Sequence, residues 1–67
     1  MSNETKATRN TDTGMTYDWP AIETAAAARG INPETLKDWT FEGVTDELTA
    51  DQIAQAYLDE REAKAGR

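Results

Sequence analysis

Cysteine and histidine are both absent from the 67 residues. Without cysteine, no disulfide can staple the chain and no thiolate can hold a metal. Without histidine, a zinc site would have to be built from carboxylates alone, a poor donor set for that ion. The same two absences remove the commonest reactive nucleophile and the commonest general base. Long apolar runs are missing too. The longest is the four alanines at 25–28, far short of a bilayer span. The N-terminus has no apolar signal region, so the expected location is cytoplasmic. Basic residues are few, 7 against 13 acids, which leaves a formal charge of −6. Such acidity suits solubility or a salty cytoplasm, and equally suits a basic partner.

At 67 residues and 37% apolar content the chain holds one small domain with a marginal core. Residues 1–16 are Ser, Asn, Thr and isolated charges, with Thr at 5, 8, 11, 13 and 16. That composition buries too little to offset chain entropy, and 1–16 is expected to be a disordered arm. The folded part, 17–64, opens at Tyr17-Asp18-Trp19-Pro20. Asp18 can cap a first helix and Pro20 fits its first turn. Ile22, Ala25 and Ala26 then recur at helical spacing. Gly30 suits the left-handed position just past a helix end. Asn32 followed by Pro33 makes a good N-cap and N1 pair for a second helix. Gly43 suits a turn after it. Thr49 with Gln52 forms a capping box, and Leu48 with Ile53 a hydrophobic staple, at the start of a third helix. Ile53, Ala54, Tyr57 and Leu58 make its apolar stripe. Arg61, Lys64 and Arg67 oppose the negative end of its dipole.

The expected fold is therefore all-α. It has three helices, at 18–29, 33–40 and 50–63, behind the disordered arm, with a frayed C-terminus at 65–67. Its core is expected from Trp19, Ile22, Ala25, Ala26, Ile31, Leu36, Trp39, Phe41, Val44, Leu48, Ile53, Ala54, Tyr57 and Leu58. Trp19 and Phe41 serve equally well as core or as exposed anchors.

No constellation points to catalysis. Asp59, Glu60 and Glu62 lie on one helix but face different directions. Asp46, Glu47 and Asp51 lack the spacing and the glycine of an EF-hand loop. No phosphate loop or nucleophile elbow occurs. The chain is expected to be no enzyme and to hold no cofactor or metal.

The run Ala25-Ala26-Ala27-Ala28-Arg29-Gly30-Ile31-Asn32-Pro33-Glu34-Thr35-Leu36-Lys37-Asp38-Trp39 resembles the helix-turn-helix of MerR-like and transposase-like DNA-binding families. Ala26, Gly30, Ile31, Leu36 and Trp39 stand where that unit places its structural residues. The resemblance implies a helix-turn-helix corner whose second helix reads DNA, with Asn32, Pro33, Glu34, Lys37, Asp38 and Phe41 outward. Arg29 departs from the usual aliphatic residue. The outward set carries acids where the families carry Arg or Lys to reach phosphates and guanine edges. Between 17 and 48 seven acids face two cations, a balance that repels a phosphate backbone. The segment 48–58 is also similar to the closing helix of some small antitoxin-like domains, too loosely to carry residue roles across.

Five aromatic rings are many for so small a core, and Trp and Tyr are enriched at binding hot spots. The function expected first is non-enzymatic: binding of a basic protein partner through an acidic, aromatic surface. Its residues are Trp19, Glu34, Lys37, Asp38, Phe41 and Glu42. The alternatives are a helix-turn-helix DNA-binding regulator, and a structural subunit of a larger phage or accessory assembly. No membrane partner is expected.

Overall fold

Among the described residues two strands and three helices follow one another: β1 (Thr8–Thr11), β2 (Gly14–Tyr17), α1 (Trp19–Ala28), α2 (Pro33–Gly43) and α3 (Ala50–Ala65). The computed structural model describes residues 5–66. The hairpin corrects the all-α expectation. Residues 8–17, expected to be mostly disordered arm, pair as antiparallel strands in the register Thr8–Tyr17, Arg9–Thr16, Asn10–Met15 and Thr11–Gly14. Residues 1–4 of that arm, and Arg67 with its expected role at the helix end, lie outside the described residues.

Local chemistry explains the hairpin turn. Thr11 Oγ1 donates to the Gly14 carbonyl at 2.7 Å and accepts from the Thr13 amide at 3.3 Å. Gly14 takes φ 130°, a conformation closed to most side chains. Isolated two-stranded hairpins are marginal in water. This one is tethered from its other side. The Ala7 amide donates to the Leu48 carbonyl at 2.7 Å, Lys6 bridges Thr49, and the Asn10 amide donates to a Glu47 carboxylate oxygen at 2.8 Å. The tether centres on Thr8, which is fully buried. Its hydroxyl donates to the Asp46 carbonyl at 2.7 Å and accepts the Leu48 amide at 2.8 Å.

The helix boundaries follow their capping residues. Asp18 accepts the Ala21 amide at the head of α1. At its end the Gly30 amide donates to Ala27 and the Ile31 amide to Ala26. With Gly30 at φ 71° this is a Schellman motif, and Ile31 is the buried residue that closes it. Asn32 then accepts the Glu34 amide and starts α2. This helix runs three residues beyond the expected end at 40, through Gly43, so Gly43 is its last residue and no turn begins there. The capping box of α3 forms as expected, with Gln52 N–H to Thr49 Oγ1 at 3.1 Å and Thr49 N–H to Gln52 Oε1 at 2.9 Å. Helix α3 continues to Ala65, capped by the Gly66 amide on Glu62, where fraying was expected from 65. Thr49→Ala should lower the unfolding free energy by about 1 kcal/mol, the usual worth of an N-cap, read from urea denaturation followed by helical ellipticity. A loss below about 0.3 kcal/mol would show the box to be dispensable.

The core lies where the three helices meet, with the hairpin's first residues closing one side. Ala7, Ile22, Ala25, Ala26, Ile31, Leu36, Ile53 and Ala54 form its buried cluster, with Trp19, Trp39, Leu48, Ala50, Tyr57 and Leu58 packed around it. Val44 is buried as well. Phe41 is not core: it is 66% exposed. Its place follows from the longer α2. Five residues beyond Leu36 at 100° each, Phe41 points about 140° away from it. Thr40, four residues on, takes the inward position instead and is fully buried. Its hydroxyl is satisfied by the Leu36 carbonyl at 2.7 Å.

Candidate interaction surface

Tyr17 closes β2, and Trp19 opens α1 two residues later. A strand passing into a helix start leaves both rings on one side, where they stack at 4.5 Å between centroids and 12° between planes. Phe41, on the outward side of α2, meets Tyr17 at 5.7 Å and 53°. Three rings from three elements therefore form one surface cluster, with Tyr17 and Trp19 half-buried and Phe41 open to solvent. Carboxylates border it. Asp18 lies between the two stacked rings in sequence, Asp38 is one helical turn before Phe41, and Glu42 follows it. All three are exposed. Neither Asp38 nor Glu42 forms an ion pair among the described residues.

The six expected partner-binding residues divide into two groups. Trp19 and Phe41 are brought together through Tyr17, with Asp38 and Glu42 beside Phe41 on α2. Glu34 and Lys37 belong to a separate ion-pair chain. Lys37 Nζ donates to Glu23 at 2.9 Å and lies 3.9 Å from Glu34. The hydrogen bond to Glu23 raises the Lys37 pKa above its ordinary 10.5; desolvation lowers it by less, and the charges of Glu23, Glu34 and Asp38 add to the rise. A raised lysine contributes below its unfolded pKa and loses that contribution only as pH climbs through the folded value. Lys37 is therefore a tied cation throughout the physiological range.

Tyr17 is the residue that sequence reasoning missed. The signal was present, since Tyr17 and Trp19 are two apart, the spacing that puts side chains on one side of a strand. The other aromatic pair is structural. Trp39 meets Tyr57 edge-on at 5.6 Å, and its indole N–H donates to Glu60 at 2.6 Å, which fastens α2 to α3.

Elsewhere on the surface, a groove of about 660 Å³ runs between α1 and the start of α3, lined mainly by Ala and Thr. Its charged lining residue, Asp51, is paired with Arg29 at 3.2 Å. Among the described residues no three acids are placed to hold a metal ion. No helix among them is long and apolar enough to cross a membrane.

Gly30, Ile31 and Asn32 connect α1 to α2. The outward side of α2 carries Glu34, Asp38 and Glu42, and its one lysine is held by Glu23. No protein-family model matches the chain, and neither does any curated protein or solved structure.

Proposed function

We propose that this chain is a cytoplasmic, non-enzymatic interaction protein that binds a basic protein segment through the Tyr17–Trp19–Phe41 cluster and the acids around it. The observation that carries this reading is Phe41. A domain with so small a core leaves one of its five aromatic rings 66% exposed, in contact with a second ring stacked on a third. Rigid aromatic side chains of this kind anchor interfaces at low entropic cost. The flanking carboxylates and the overall charge of −6 favour a cationic partner and speed its capture.

The test is selection of dodecapeptides from a random display library on the immobilised protein, with Phe41→Ser as counter-selection. Basic peptides should be enriched. Their affinity should fall with added salt, as screened surface charges require. Phe41→Ser should change stability by no more than about 0.5 kcal/mol, as expected of an exposed site. It should weaken binding roughly tenfold or more, the ~1.4 kcal/mol or above of an aromatic hot spot. Equal binding by Phe41→Ser, or recovery of no basic peptide, would overturn the reading. Amide NMR with mixed-sequence duplex DNA runs alongside. Shifts confined to 32–41 would replace protein binding by DNA reading.

A further inference from the structure

We infer that the partner segment docks in extended form, as a strand added to the outer edge of β2; this rests on the function proposed above and specifies how that surface is used. The hairpin strands are not equivalent. β1 has β2 on one side; on the other the Thr8 amide donates to the Leu48 carbonyl at 3.2 Å and the Asn10 amide to the Glu47 carboxylate at 2.8 Å, and Ala7 and Lys6, just before the strand, meet Leu48 and Thr49. β2 has β1 alone.

The register identifies the groups that β2 offers. The Asp18 amide donates to the Ala7 carbonyl at 2.7 Å, so 7 and 18 are a hydrogen-bonded pair. Such pairs alternate along an antiparallel ladder, so Arg9–Thr16 and Thr11–Gly14 are hydrogen-bonded too. Met15 and Tyr17 then direct their N–H and C=O groups away from β1, along the free edge. An edge of this kind is a template for another strand unless lysine, proline or a bulge blocks it. Gly14-Met15-Thr16-Tyr17 contains neither residue, and its register is unbroken.

The edge also carries the recognition chemistry. Tyr17 is at once an edge residue and the middle ring of the aromatic cluster. A strand laid beside it brings its alternate side chains against Met15, Tyr17 and the rings beyond. Asp12 stands before the edge and Asp18 after it. Asp12 is in the turn that leads into β2 and Asp18 directly follows the strand, so one carboxylate stands near each end of the edge. Between Ala7 and Pro20 the sole cation is Arg9, on the inner strand β1. The occupant is therefore an extended segment with apolar residues at alternate positions and Lys or Arg towards both ends. A second copy of the chain would bring acids to acids across the same edge.

Proline at position 15 separates edge docking from contact with the rings alone. It deletes one outward N–H and leaves the hairpin's own bonds, an edge position where proline is tolerated. Met15→Ala, which keeps the N–H, is its control. The probe is the tightest dodecapeptide from the display selection. Met15→Pro should bind it at least tenfold more weakly than Met15→Ala, and binding to the wild type should protect the Met15 and Tyr17 amides from hydrogen exchange. If Met15→Pro proves unfolded, the amide protection decides alone. Equal affinities of the folded variants, or unprotected Met15 and Tyr17 amides in the saturated complex, would overturn edge docking; retained sensitivity to Phe41→Ser would leave the proposed function standing. Complex formation through pairing of two copies, seen as a doubled mass on sedimentation, would overturn it as well.

Discussion

Ile53→Ala should leave a large fraction of the chain unfolded at 25 °C. Three large aliphatic side chains, Ile22, Leu36 and Ile53, are completely buried. The rest of the inner cluster is chiefly alanine: Ala7, Ala25, Ala26 and Ala54. Removing a buried Ile or Leu side chain costs about 2–5 kcal/mol, more where neighbours cannot move in to fill the space. Alanines on packed helices have no side chain to swing inward, so the loss at Ile53 belongs at the upper end. A chain of this length has about 3–10 kcal/mol in total, which makes the loss comparable with the whole. Leu48, on the connector that tethers the hairpin, packs against the cluster to which Ile53 belongs, so truncation loosens that tether too. Urea denaturation of Ile53→Ala and Ile53→Val measures the effect, the second variant keeping most of the volume and losing about 0.5–1.5 kcal/mol. A loss under 1 kcal/mol in Ile53→Ala would mean that the centre of the core lies elsewhere. Leu36→Ala, also fully buried, should behave alike.

Features that depend on neighbours in sequence were readable from it. Gly30, Asn32 with Pro33, and Thr49 with Gln52 each act within a few residues, and each cap formed where its residues stand. The aliphatic members of the expected core are likewise buried or packed against the core, because helical spacing reveals a face without needing a partner. The hairpin was not readable in that way. Its residues look like polar leader, and strands of four residues have little stability of their own. What holds them is contact with 46–48, some forty positions away, made by a threonine indistinguishable in sequence from the others around it. The candidate surface inherits that gap. Trp19 and Phe41 were recognisable as anchors, but Tyr17, which joins them, takes its place only once β2 exists. The end of α2 failed for a related reason. Gly43 signals a turn by propensity, yet Val44, buried just beyond it, makes three more helical residues worth forming. That extension also turned Phe41 outward.

The surface and the fold are therefore coupled through the hairpin, and Thr8→Val is expected to break both. Valine keeps the shape and β-branching of threonine, so strand propensity and packing change little. It removes the one oxygen that serves the Asp46 carbonyl and the Leu48 amide together. Each polar group left without a partner costs about 1–3 kcal/mol, less where water can enter. Leu48 is only half-buried, so the low part of that range applies to its amide. Thr8→Ser keeps the oxygen and loses a buried methyl, about 0.8 kcal/mol. The valine variant should therefore cost more than the serine variant, and the loss should fall first on the hairpin as a locally opening unit. Hydrogen exchange resolves this. In Thr8→Val the amides of 7–18 should exchange faster while those in the middle of α3 stay protected. Equal losses in the two variants would mean that the methyl, not the hydroxyl, holds the strand. If the hairpin opens, Tyr17 leaves Phe41 and β2 ceases to offer an edge. Thr8→Val should then bind the selected basic peptides weakly although it touches none of them, whereas Thr8→Ser should bind them as the wild type does.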